Sequence, residues 1–191
     1  MELLFIRHGL PLRINEGDTD GPADPALSDL GRRQAVALAA WLADERVDAI
    51  WVSPMRRARE TAVPLADRLA LPVTIDDDLA EFDRDALSYI PLEELRAAKD
   101  PRWNEVPERP EHFHAAVVRS VERIIAAHPR QRVAVVCHGG VINAYAGHVL
   151  KIDEPLFFLP DYTSVNRVLA ASSGERSISS LNETAHLRTL G

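Results

Sequence analysis

The sequence predicts a three-layer α/β sandwich, with a mostly parallel central sheet and helices on both of its faces. Short apolar runs alternate along the chain with longer segments of helical spacing. Two of those runs, Leu3-Leu4-Phe5-Ile6 and Val133-Ala134-Val135-Val136-Cys137, are apolar throughout, as strands buried on both faces of a parallel sheet must be. The chain has 191 residues, 46% of them apolar, so roughly 88 side chains are available for a core. That is the size of one domain, and residues 1–191 are expected to form one, with an insertion at about 82–110.

The elements follow in order. Leu3 to Ile6 reads as a buried strand that halts at Arg7-His8-Gly9. Residues 10–27 hold Gly17, Gly21 and three prolines (Pro11, Pro22 and Pro25), the composition of a long loop. Ser28 is placed to cap a helix running to about Glu45, with Ala35, Leu38, Ala39 and Leu42 at helical spacing. Asp48 to Ser53 reads as a second strand and Arg56 to Leu69 as a helix that Pro64 should kink or interrupt. Val73 to Ile75 is a short strand. Residues 82–110 are polar and proline-bearing, with a short helix at Pro91 to Ala98, and are expected to cover one edge of the sheet. Glu111 to His128 repeats Val117, Val118, Val121, Ile124 and Ile125 on one helical face. After the strand at Val133 to Cys137, Gly139-Gly140 opens a helix to about Leu150. Ser164 to Ala171 and Arg176 to Leu181 flank Ser172-Ser173-Gly174-Glu175 as a hairpin, the antiparallel part of the sheet.

Composition excludes several classes of function. Lys and Arg number 22 against 29 Asp and Glu, a net charge of −7, which disfavours a nucleic-acid or anionic-membrane binder. The longest apolar stretch, Ala35 to Ala43, is nine residues, short of the ~20 that span a bilayer. The N-terminus has no basic region of the kind that opens a signal peptide. One cysteine, Cys137, excludes an internal disulfide and an all-cysteine metal cage. A cytoplasmic protein is expected, monomer or homodimer, with no metal and no cofactor.

The residues with chemistry gather at strand ends. Both fully apolar strands run into a histidine followed by glycine, Arg7-His8-Gly9 and His138-Gly139-Gly140. In an open α/β sheet, ligands bind beyond the carboxyl ends of the strands, and the helix after Gly140 would aim free N–H groups there, favouring an anion. Ser53-Pro54-Met55-Arg56-Arg57-Ala58-Arg59 follows a third strand and places arginines in the first turn of a helix. Cations there oppose the helix dipole unless an anion joins them. Two forked guanidiniums around a neutral imidazole would make a phosphate socket. Any one of these features alone is ordinary: an arginine run is usually a solvated helix face and a lone histidine often belongs to the core. Their order, each after a strand, is specific.

These segments resemble those of the histidine phosphatase superfamily, which has the phosphoglycerate mutase-like fold. Leu4-Phe5-Ile6-Arg7-His8-Gly9 is similar to its opening signature, and Leu27-Ser28-Asp29-Leu30-Gly31-Arg32-Arg33-Gln34-Ala35 to the approach to its first helix. Ser53 to Ala62 resembles the element bearing its second arginine, in a register that selects Arg57 over Arg56 and Arg59. Asp78-Leu79-Ala80-Glu81 resembles the segment with its proton donor; the residues alone would not separate Glu81 from Asp76, Asp77, Asp78 or Asp83. Val136 to Ile142 resembles the second-histidine element, and Leu181 to Leu187 the closing strand.

The resemblance implies a metal-independent phosphatase acting on a small phosphorylated substrate. His8 would attack phosphorus and become a phosphohistidine. Arg7, Arg57 and His138, with Gly139, would bind the phosphoryl oxygens, and Glu81 would protonate the leaving alcohol. The arginines should keep His8 neutral, and the phosphate should raise the pKa of Glu81. Departures fall at Pro11, where the family often has Thr or Ser, and at Ile14, where it often has Asn; Asn15 stands one place late. Substrate preference is expected from the insertion, through Tyr89, Trp103, Arg84, Arg96, Lys99, Arg102 and Arg109. His112 and His114 alternate as metal ligands on a strand would, yet sit at a helix start with no third ligand. A phosphoglycerate-type mutase, a catalytically idle phospholigand-binding module and a metal-dependent hydrolase using the histidine pair are the other readings.

Overall fold

The computed structural model describes residues 1–101 and 110–190. Trp103, Arg102 and Arg109 of the insertion lie outside them. A six-stranded sheet has the order β3-β2-β4-β1-β5-β6, built from β1 (Glu2–Arg7), β2 (Ala49–Val52), β3 (Val73–Ile75), β4 (Arg132–Cys137), β5 (Val165–Ala170) and β6 (Arg176–Glu183). β1, β2, β3 and β4 are mutually parallel; β5 runs antiparallel to β1 and β6 antiparallel to β5. The helices are α1 (Asp29–Trp41), α2 (Arg56–Leu69), α3 (Leu92–Ala97), α4 (Pro110–Ala127) and α5 (Gly139–Leu150).

Strand alternation divides the core into the two layers expected of the sandwich. Leu4 and Ile6 join Ile50, Val52, Ala134 and Val136 against Leu38 and Leu42 of the α1 segment and Ala58, Ala62 and Leu65 of α2. Leu3 and Phe5 point the other way with Val133, Val135 and Cys137, against Val117, Val121 and Ile124 of α4 and Val141, Ile142 and Tyr145 of α5. At ~25 cal/mol per Å² of apolar surface removed from water, these two faces are the main stabilising term of the fold.

Local chemistry sets the helix ends. Ser28 caps α1, its Oγ accepting from the Gly31 N–H at 3.0 Å and donating to the Leu10 carbonyl at 2.9 Å. α2 contains Pro64 without ending there. Pro64 and Glu60, whose carbonyl loses its i+4 donor, lie on the half-exposed side of the helix, while Thr61, Ala62 and Leu65 face the core. The unpaired carbonyl can therefore turn to water. The closing segment is strand only to Glu183. Asn182 takes a left-handed φ of 58° and the chain turns into a 3-10 helix, Ala185–Thr189, where His186 stacks on Trp41 with ring centroids 5.1 Å apart.

Register positions the site. Arg7 pairs with Cys137 and Val52 with Val136, so the residues next in line, His8, His138 and Ser53, emerge side by side beyond the sheet. The described part of the insertion, 82–101, lies over these carboxyl ends, with its carboxylates seated on Arg7 and Arg57. Among the described residues no helix is long and apolar enough to cross a membrane.

Candidate active site

His8 is 2% exposed. Its backbone N–H donates to the Cys137 carbonyl at 2.9 Å, and its Nδ1 lies 2.8 Å from the carbonyl oxygen of Gly9. A carbonyl only accepts, so this contact assigns the proton to Nδ1 and leaves the Nε2 lone pair free. Burial, then the charges of Arg57 and Arg7, hold the His8 pKa well below the usual histidine value. The imidazole is therefore neutral at neutral pH, as expected from the sequence, with burial the larger cause.

The His138 ring stands 5.0 Å from that of His8. Its Nε2 lies 2.7 Å from the Ser53 hydroxyl, while its Nδ1 is buried without a partner. Arg57, 1% exposed, donates through Nη2 to Asp83 at 2.7 Å, and its Nε and Nη1 are buried without partners. Its guanidinium carbon sits 4.7 Å from the ring centroid of Tyr89. Burial, the largest single influence, would lower the Arg57 pKa, but Asp83, Tyr89 and Glu81 together outweigh it and the group stays firmly cationic. Arg7 donates through Nη1 to the Pro160 carbonyl at 2.6 Å and to Glu93 at 2.9 Å; its Nε, too, is buried without a partner.

Glu81 is 8% exposed and its Oε2 accepts from the Gly140 N–H at 2.7 Å, its Oε1 from the Phe82 N–H at 3.1 Å. Burial, followed by the charge of Asp83, pushes its pKa up to about 7, against the pull of those N–H groups and Arg57. The shift expected from a bound phosphate is thus already supplied by the protein. A Cβ on Gly140 would collide with this carboxylate. Gly140→Ala should displace Glu81 and slow hydrolysis of an alkyl phosphate about 10-fold or more, with little effect on p-nitrophenyl phosphate, whose leaving group needs no proton. Steady-state kinetics on the two esters test this.

Arg7, His8, Arg57, Glu81 and Gly139 line one cavity of about 620 Å³, within the range of small-molecule sites. Tyr89 and Arg96 line it as well, whereas Arg84 and Lys99 are exposed and do not. Pro11, Ile14 and Asn15 stay out of it. Pro11 bridges Leu27; Ile14 exchanges two backbone hydrogen bonds with Tyr89, 2.9 and 2.8 Å; Asn15 bonds Asp18 and Arg13 at the surface. Ile14 anchors the tyrosine beside Arg57 and adds no donor to the cavity. His114 lies on α4 with its ring 5.8 Å from that of His148, and among the described residues no cluster of three or more His, Cys, Asp or Glu could hold a metal.

Sequence reasoning missed Ser53, Asp83 and Glu93 as site residues, and also Tyr162, whose ring lies 5.7 Å from that of His8. For Ser53 a signal existed, since the register of a parallel strand before Pro54 places it beside His138.

A model of the histidine phosphatase superfamily, branch 1, matches residues 3–184. The chain belongs to that superfamily. It is 31% identical over 201 residues to phosphoserine phosphatase 1 of Hydrogenobacter thermophilus, covering 98% of this chain and 94% of that one. It is likewise 31% identical over 199 residues to a bifunctional protein of Mycobacterium tuberculosis, covering 97% of this chain but only 54% of the relative, about half its length. Among solved structures, the native mycobacterial glucosyl-3-phosphoglycerate phosphatase superposes with a TM-score of 0.74 at 26% identity, over 96% of this chain and 99% of that one. The two histidines of this superfamily member and its buried guanidiniums thus occupy the carboxyl edge of a phosphatase fold.

Proposed function

We propose that the chain hydrolyses a small phosphomonoester without a metal, through a phosphohistidine on His8. The observation that carries this reading is the set of four buried nitrogens with no partner, Arg7 Nε, Arg57 Nε and Nη1, and His138 Nδ1, which is a donor in the tautomer whose Nε2 accepts from the Ser53 hydroxyl, on side chains gathered round the neutral imidazole of His8. Leaving buried donors unsatisfied costs roughly 1–3 kcal/mol each. A phosphoryl group, with three peripheral oxygens, is the ligand chemistry that would satisfy all four together. The Hydrogenobacter and mycobacterial relatives named above, which act on phosphoserine and glucosyl-3-phosphoglycerate, support the same class of reaction.

In the first step His8 Nε2 attacks phosphorus in line, a P–N bond forms and the P–O bond to the leaving alcohol breaks. Glu81, protonated below about pH 7, gives its proton to that oxygen. The Arg7, Arg57 and His138 donors stabilise the charge that spreads over the equatorial oxygens, where most of the catalysis of phosphoryl transfer resides. In the second step the Glu81 carboxylate takes a proton from water as its oxygen attacks phosphorus. The P–N bond breaks, and inorganic phosphate leaves with neutral His8 restored.

Glu81→Gln should lower kcat for an alkyl phosphate by about 10²-fold or more. The wild-type decline in alkyl-phosphate turnover as pH rises through about 7 should vanish with it. Equal slowing of alkyl and aryl esters would remove the acid role. The general test is hydrolysis of p-nitrophenyl phosphate with EDTA present, repeated with vanadate. Activity that survives EDTA and is lost to vanadate is expected. Loss with EDTA favours a metal-dependent hydrolase, and phosphate binding without turnover an idle module. Isomerisation of 3-phosphoglycerate in preference to phosphate release would mark a mutase.

A further inference from the structure

Arg7 is held by a closed triangle of side chains with Glu93 and Tyr162. Its Nη1 donates to Glu93 Oε1 at 2.9 Å, and the other carboxylate oxygen, Oε2, accepts from the Tyr162 hydroxyl at 2.6 Å. The Tyr162 ring in turn carries the Arg7 guanidinium on its face, 3.9 Å from the centroid. Two sides of the triangle come from fixed parts of the fold. Arg7 ends β1, and Tyr162 is tied to it through Thr163, whose N–H donates to the carbonyls of Arg7 and His8 at 3.0 and 3.3 Å. Thr163 sits at φ 58°, a conformation that a β-branched residue keeps only where its surroundings impose it. The third side, Glu93, arrives on α3, the short helix whose Leu92 and Leu95 line the cavity beside the phosphate end.

The exposures bear on what Glu93 does. Its side chain is 42% exposed while that of Arg7 is 5%. Ion pairs with an exposed partner contribute little to folding. The same carboxylate, however, fixes two of the groups that define the orientation of a guanidinium, one by charge and one through the ring beneath it. With Nη1 engaged by Glu93 and Pro160, rotation of the guanidinium that would move the unpartnered Nε breaks both bonds.

We propose that Glu93 is a positioning residue for phosphate binding: through Arg7 and Tyr162 it locks the guanidinium in the orientation that presents Nε to the phosphoryl group. The proposal rests on the phosphate-site reading above. The opposite role, a carboxylate plug occupying Arg7 in place of substrate, predicts changes of opposite sign.

The test uses the full chain carrying Glu93→Ala, Glu93→Gln or Tyr162→Phe, and reads vanadate affinity by calorimetry, kcat and KM on p-nitrophenyl phosphate, and the melting temperature. Glu93→Ala should weaken vanadate binding and lower kcat/KM by about 10-fold or more, the scale of a lost hydrogen bond to a charged group, with the melting temperature unchanged. Glu93→Gln should recover most of this, because its amide oxygen still accepts from Arg7. Tyr162→Phe keeps the ring under Arg7 and should fall between wild type and Glu93→Ala. Unchanged affinity and kcat/KM in Glu93→Ala would overturn the proposal, as would tighter binding, which marks a plug, or a fall confined to the melting temperature. Vanadate affinity is measurable whether or not the wild-type chain turns over ester. An inactive wild type would therefore count against the phosphatase reading, and an insensitive Glu93→Ala against this one.

Discussion

His8→Ala should lower turnover of p-nitrophenyl phosphate by on the order of 10⁶-fold, the scale seen when a covalent nucleophile is removed. The reason lies in the bonds of one ring. The Gly9 carbonyl holds the Nδ1 proton, burial and two guanidiniums exclude a second proton, and Nε2 keeps its lone pair. The other neutral imidazole of the cluster, His138, has its Nε2 engaged by the Ser53 hydroxyl, which leaves His8 Nε2 as the free lone pair. The fold should survive, because the backbone bond from residue 8 to the Cys137 carbonyl does not use the side chain. Rapid quenching of the wild type with labelled substrate should trap a species labile in acid and stable in base, as a phosphoramidate is, and the variant should trap none. Full activity in His8→Ala would remove the mechanism.

Arg57→Ala should cost about 10³- to 10⁵-fold in kcat/KM, the range associated with a guanidinium that stabilises phosphoryl transfer. Two effects combine. Nε and Nη1 are lost as donors, and Asp83, until then paired at 2.7 Å, is left as an uncompensated negative charge lining the cavity that must admit a dianion. Arg57→Lys should restore little, since one ammonium cannot hold Asp83 and also present two forked N–H groups to phosphate. Adding Asp83→Asn to Arg57→Ala should recover part of the loss by removing the stranded charge. Steady-state kinetics on the three variants decide this; a loss under 10-fold for Arg57→Ala would show that Arg57 lies off the reaction.

Much of the site was legible because it follows from strand register. Two apolar strands that each end in a histidine, once paired in parallel, must deliver those histidines together, and Arg7 opposite Cys137 does so. The two-layer core was legible for the same kind of reason, from apolar residues at helical and strand spacing. Glu81 was different: five acids stand between 76 and 83, and only family resemblance separated it from the others. What was not legible is how the cations are balanced. Arginines in the first turn of a helix require an anion, and the sequence pointed to phosphate alone. Asp83 and Glu93 supply part of it from within, leaving one edge of each guanidinium open. Asp83 stands in a polar stretch without periodicity and Glu93 on a short polar helix, and in neither does the pattern distinguish an acid folded onto an arginine from a solvated one. Pro64 and the turn after Glu183 escaped for a related reason, since water access to one carbonyl and a left-handed Asn182 are set by tertiary context.

The most direct measurement is a crystal structure of the full chain with vanadate. The predicted result is vanadium bonded to His8 Nε2, with its equatorial oxygens on Arg7 Nε, Arg57 Nε and Nη1, and His138 Nδ1, and an apical oxygen facing Glu81. Vanadate bound elsewhere, or bound in this cavity with those nitrogens still unpartnered and His8 turned away, would contradict the account.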